Sequence, residues 1–161
     1  MTLNLTQKER TLLQDQKGHE EVCIKKYNDY AQKTQDPQLK QLFTNYASIE
    51  QEHLSTINQM LSGQVPQTNQ QQGQQQGQQG QQQGQQGMSQ GTSSMASTED
   101  KALCQDMLMT EKYVSSAYNN AILEANDKNV RQTLNHIQKE EQEHAEGIYN
   151  YMKNNGMYNP Q

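Results

Sequence analysis

The same four residues, Glu-Gln-Glu-His, occur at 50–53 and again at 141–144, and each run has a Glu thirty positions before it, Glu20 and Glu111. A shift of 91 positions, with no gap, superimposes the two halves. Leu12 then meets Leu103, Gln14 meets Gln105, Asp15 meets Asp106, Tyr27 meets Tyr118, Asn28 meets Asn119, Asp36 meets Asp127, Gln41 meets Gln132 and Ile57 meets Ile148. A chain that repeats itself so closely is expected to build two copies of one supersecondary unit. The spacing of its apolar residues decides which unit.

In both halves that spacing is three and four, the helical period. Thr6-Gln7-Lys8-Glu9 has the pattern of a capping box and opens a first helix running to about Thr34. Its inward stripe reads Leu12, Leu13, Gln16, Glu20, Cys23, Tyr27, Tyr30 and Ala31. Asp36-Pro37 stops that helix and caps a second one, because Asp accepts from exposed N–H groups and Pro needs none in the first turn. The second helix carries Leu39, Leu42, Phe43, Tyr46, Ile49, Glu50, His53, Leu54, Ile57, Met60 and Leu61 inward and stops at Gly63. So short a connection makes an antiparallel hairpin. The second half repeats the design. A helix starts near Thr98 with Glu111 on its stripe. Asp127 caps a fourth helix, in which Ile137, Glu141, His144 and Ile148 share a face, and Asn154-Asn155-Gly156 ends it.

Between the halves the composition changes. Gln64 to Gln90 is mostly glutamine broken by glycines, and small polar residues follow to Thr98. Such a stretch buries too little apolar area to offset its ordering entropy, so 64–98 is expected to be a disordered linker. As a Gly-rich coil its r.m.s. span is about 33 Å, and a helix of about 22 residues is about 33 Å long. The linker can therefore return along a bundle. The expected organisation is a first hairpin at 1–63, the linker, and a second hairpin at 99–157. Together they form one all-α four-helix bundle with a pseudo-twofold axis.

Glu-x-x-His on a helix puts one carboxylate and one imidazole on the same face. The bundle would therefore bring Glu20, Glu50, His53, Glu111, Glu141 and His144 around one point. Four buried carboxylates without compensation would cost more than a domain's whole stability. Two divalent cations would cancel the charge, with carboxylates bridging them and one imidazole on each. An oxygen-rich set with two His suits iron or manganese better than zinc. Tyr27 and Tyr118, two turns after Glu20 and Glu111, are placed to hydrogen-bond the ligands. Glu140 and Glu143 read as a solvated face. His19 and His136 lie off the stripes and read as ordinary exposed histidines. Cys23 and the Met residues at 60, 107 and 152 read as core filler.

Other classes are disfavoured. A net charge of −5 does not suit a nucleic-acid binder, which needs a basic face. There is no apolar run of membrane-spanning length. The opening residues lack a basic region followed by an apolar core, so no secretory signal is expected. Cys23 and Cys104 are isolated and are expected to be free thiols in a reducing compartment.

Gln105-Asp106, Glu111-Lys112-Tyr113, the run Asp127 to Arg131 to Leu134, and Glu140-Glu141 with His144 resemble the Coat F family of spore coat proteins. The resemblance implies a ferritin-like fold, synthesis in the mother-cell cytoplasm and deposition in the spore coat among other coat proteins. A homodimer is a separate expectation for the chain. The six candidate ligands resemble those of the wider ferritin-like superfamily, which includes rubrerythrins and manganese catalases. No Cys-x-x-Cys pair is present, so a rubredoxin-type electron-transfer module is not implied. Two functions are thus expected of such a chain: a structural coat protein with a di-metal site, or a di-iron or di-manganese oxidase or peroxide scavenger. The structural role is favoured, and no enzyme activity is assigned.

Overall fold

The computed structural model describes residues 2–66 and 97–159. Residues 67–96, which make up most of the expected linker, lie outside the described residues. Four helices follow in order: α1 Gln7–Lys33, α2 Pro37–Leu61, α3 Thr98–Glu124 and α4 Lys128–Asn154.

Each helix starts where its sequence supplies an acceptor. The Thr6 hydroxyl accepts from the Glu9 N–H, and the Glu9 carboxylate accepts from the Thr6 N–H, which completes the capping box. Asp36 accepts from Gln38 and Leu39, Ser97 from Asp100, and Asp127 from Asn129 and Val130. Both α2 and α4 end in a Schellman motif. Gly63 donates to the Met60 carbonyl and Gln64 to Gln59; Gly156 donates to Lys153 and Met157 to Met152. The glycine at each turn has a positive φ, 84° at Gly63 and 68° at Gly156, which L-residues avoid.

α1 packs along α2 and α3 along α4, so the fold is two antiparallel hairpins, with α1 against α3 and α2 against α4. The contacts between hairpins fix the directions. Glu9, at the start of α1, accepts from Asn126 and Asp127 beyond the end of α3. On the other pair, Tyr151 near the end of α4 donates to Asp36 ahead of α2 at 2.7 Å. Helices α1 and α3 are therefore antiparallel, as are α2 and α4. α3 then runs parallel to α2, and the described ends at 66 and 97 lie at opposite ends of the bundle. This is the all-α four-helix bundle of two antiparallel hairpins expected from the repeat.

The core is built from the expected stripes. Leu13, Cys23, Tyr27, Leu39, Phe43, Ile57, Met60, Leu103, Met107, Val114, Tyr118, Leu134, Ile137, Ile148 and Met152 are all buried. Leu108 and Cys104 join them from α3, off the expected stripe. Both chain ends pack onto the bundle. The N-terminal strip lies on the end of the first hairpin: Thr2 bridges Gln64, the Leu3 N–H donates to the Gly63 carbonyl, and Leu3 is buried. At the C-terminal end Met157 is buried by the Schellman turn that returns it onto Met152.

Candidate metal centre

α1 contributes Glu20, α2 contributes Glu50 and His53, α3 contributes Glu111, and α4 contributes Glu141 and His144. All six are buried in the middle of the bundle, none more than 3% exposed. The i,i+3 spacing puts each imidazole beside the carboxylate of its own helix, but the shorter contacts cross the bundle. His53 Nδ1 lies 3.1 Å from Glu141 Oε1, against 3.4 Å from Glu50 and 3.5 Å from Glu20. His144 Nδ1 lies 2.9 Å from Glu50 Oε1 and 3.7 Å from Glu111.

The donor atoms fall into two groups, each compact enough to surround one cation: Glu20, Glu50, His53 and Glu141, and Glu50, Glu111, Glu141 and His144. Each group has its own imidazole and its own Glu from α1 or α3. Glu50 and Glu141 belong to both. These residues could hold a metal ion, and their bonding shows a fit to one. One oxygen of each carboxylate, Oε2 of Glu20, Glu50, Glu111 and Glu141, is buried with no hydrogen-bond donor, as is Nε2 of His144. Buried polar atoms without partners are rare because each costs its full desolvation. Four such oxygens in one buried cluster could hold a cation.

Electrostatics agree. Burial pushes Glu20 up to about 8, and the nearby charge of Glu50 adds to it, while the His53 hydrogen bond opposes the shift. Burial also raises Glu141 well above the usual carboxylate range. Glu50 suffers the same burial, but hydrogen bonds from His144 and His53 hold its carboxyl below that range. The imidazoles respond in the opposite sense. Burial works against their charge, yet bonds to Glu140, Glu141, Glu20 and Glu50 raise His53 well above its ordinary value, and bonds to Glu111 and Glu50 raise His144 to about 9. The protein alone balances this centre with protons, and a cation would displace them.

Two tyrosines complete it. Tyr27 donates to Glu111 and Tyr118 to Glu20, both fully buried and both across the hairpin boundary. Burial and the adjacent carboxylates keep both phenols protonated. The sequence placed each tyrosine on the same stripe as its own helix's Glu, but the bond formed is to the other hairpin. Cys23 is buried next to the cluster and belongs to neither donor group. Burial, with four carboxylates nearby, pushes its thiol far up, which agrees with its reading as core. Cys104 is likewise buried and free.

Glu140 corrects the sequence reading. It was read as part of a solvated face, yet its Oε2 accepts from His53 Nε2 at 2.8 Å and lies 3.5 Å from His136. The His53 bond is the main reason its carboxyl sits below the usual range. The spacing alone hid this, since Glu140 is one residue from the inward Glu141 and faces the edge of the bundle. His136 is exposed as expected. His19 is half-buried, packed edge-on against Tyr113.

Residues 99–161 match the model of the Coat F domain. Over 95% of its length the chain is similar to a solved two-domain protein of Anabaena variabilis that contains DJ-1/ThiJ/PfpI-like and ferritin-like domains, with a TM-score of 0.68 and 14% identity. The chain spans 38% of that protein's length. At this identity the likeness speaks for the fold alone. No curated protein matches the chain.

Proposed function

We propose that this chain, whose residues 99–161 match the Coat F domain model, is a structural protein of the spore coat with a di-metal centre in the core of its bundle. The observation that carries the metal reading is the sharing of Glu50 and Glu141 by two otherwise separate donor groups. In this reading Glu20, Glu50, His53 and Glu141 would hold one divalent cation and Glu50, Glu111, Glu141 and His144 would hold a second. Metal that binds only the folded state stabilises it by mass action, which suits a protein of a durable shell. The Coat F match supports the location. No described helix is long and apolar enough to cross a membrane. The exposed Val22, Met109, Tyr113 and Leu123 offer apolar contact to other coat proteins or to a second copy.

A second reading, an oxidase or peroxide-scavenging enzyme, is favoured by the donor chemistry. Four carboxylates and two imidazoles suit iron or manganese, and such ions, when bound, supply one-electron chemistry toward dioxygen or peroxide. The chain's own groups would hold the ions, bear the protons on Glu20 and Glu141, and exclude water with the Tyr27 and Tyr118 rings.

Two measurements test these readings. Antibody detection in fractionated spores should find the chain in the coat, and its recovery only from the mother-cell cytoplasm would contradict the structural role. Metal-loaded protein that consumes peroxide or dioxygen faster than its His53→Ala/His144→Ala variant would favour the enzyme. Equal rates would leave the structural role alone.

A further inference from the structure

The two imidazoles have different surroundings. The shift that brings His53 onto His144 also brings Tyr46 and Ile49 of α2 onto Ile137 and Glu140 of α4. The acidic partner thus occurs on one side only. His53 Nε2 donates to Glu140 Oε2 at 2.8 Å, and the same oxygen lies 3.5 Å from His136 Nε2. On the opposite side the corresponding position is Ile49, half-buried as Glu140 is, which offers no acceptor. His144 Nε2 is accordingly buried with no hydrogen bond. Its ring is held by stacking on Tyr46 instead, with centroids 4.2 Å apart and planes 29° apart. Tyr46 reaches that place because position 147 is glycine: a Cβ there would overlap the Tyr46 hydroxyl.

We infer that the two metal positions are inequivalent: a divalent cation among Glu20, Glu50, His53 and Glu141 binds first and more tightly, and Glu140 is the positioning residue that makes it so. The inference rests on the di-metal reading above. A ligand imidazole presents Nδ1 to the metal only if Nε2 carries the proton. Glu140 accepts that proton's hydrogen bond, fixes the tautomer and ring angle, and makes Nδ1 a better donor. Partners of this kind are worth about 10- to 100-fold in metal affinity. His144 must present Nδ1 with its Nε2–H facing no acceptor, so its position fills second.

The test uses the full chain, stripped of metal and titrated anaerobically with Co(II), followed by visible absorption and equilibrium dialysis. Two steps separated by about tenfold or more are expected. His53→Ala should remove the tight step and His144→Ala the weak one. Glu140→Leu should close the gap by weakening the tight step, and Glu140→Gln, which keeps an acceptor without the charge, should close it only in part. Ile49→Glu, on the other hairpin, should close it from the opposite side by tightening the weak step. This keeps the test decisive should Glu140→Leu loosen the fold. Two equal steps in the unaltered protein would overturn the inequivalence and leave the di-metal centre standing. A gap unchanged by both Glu140→Leu and Ile49→Glu would remove Glu140 from its role. No Co(II) bound at all would overturn the di-metal reading and this inference with it.

Discussion

Tyr27 on α1 hydrogen-bonds Glu111 on α3, not the Glu20 of its own helix. Tyr118 on α3 returns the bond to Glu20. Each hairpin therefore supplies a donor to a carboxylate of the other, and the centre cannot be assembled from one hairpin alone. Tyr27→Phe should cost about 1–3 kcal/mol, because Glu111 would lose its one donor from a tyrosine in a fully buried place. A double-mutant cycle with Glu111→Gln, read by chemical denaturation, should show coupling between the two positions. Additive costs would contradict a direct bond.

Glu9 ties the start of α1 to the α3–α4 turn. Its Oε1 accepts from Asn126 and Asp127, and its Oε2 closes the capping box with Thr6. Burial raises its carboxyl, but the N–H groups of Asp127, Thr6 and Asn126 outweigh that and hold it below 4.5. A depressed carboxyl stabilises the fold above the unfolded value, and the gain is lost as pH falls through the folded one. Glu9→Gln should lower stability by about 2 kcal/mol at neutral pH. The difference from the unaltered protein should shrink below about pH 4. Melting curves across pH check this, and a constant difference would count against it.

The metal-free centre has the opposite sign. Glu20 titrates near 8 in the fold against 4.5 outside it, so the folded state keeps a proton that the unfolded chain has released. That contribution is complete below 4.5 and gone above 8. His144, near 9 against 6.5, acts in the same direction: its contribution is complete below 6.5 and lost as pH rises through 9. Metal-free protein should thus lose stability from about pH 5 to about pH 9, while metal-loaded protein changes little. Metal addition should release protons into weak buffer. A metal-free melting temperature that climbs through this window would contradict the assignment.

Gly147 predicts a reversal of the usual helix rule. Ala in place of Gly inside a helix ordinarily gains about 0.5–1 kcal/mol. Here the added Cβ would meet the Tyr46 hydroxyl and force the ring off His144. Gly147→Ala should therefore destabilise the protein, and the same change in a Tyr46→Ala background should stabilise it. Thermal melts of the four variants decide the matter; stabilisation in both backgrounds would show that Tyr46 does not need the glycine.

Much of this was legible in the sequence. Thr6, Asp36 and Asp127 mark helix starts because a cap is a local event, written within three residues. Glu50, His53, Glu141 and His144 were legible as buried because each is bracketed by apolar residues at helical spacing. What crosses between elements was not. A stripe says that Tyr27 faces inward, but the partner it meets depends on the register of α1 against α3. Glu140 read as solvent-facing because one residue of offset, 100° on a helix, puts it at the bundle's edge, where only the placement of His53 reveals it. Glu9 looked fully explained by its own capping box, so its second pair of bonds left no trace in the pattern.

The most direct test is the metal content per chain by elemental analysis, after anaerobic loading with Fe(II) or Mn(II) and removal of free ions, beside the His53→Ala/His144→Ala variant. About two ions per chain are expected from the two donor groups, with a clear loss in the variant. No bound metal in the unaltered protein, or equal amounts in both, would contradict the centre and leave a four-helix bundle with a proton-balanced core.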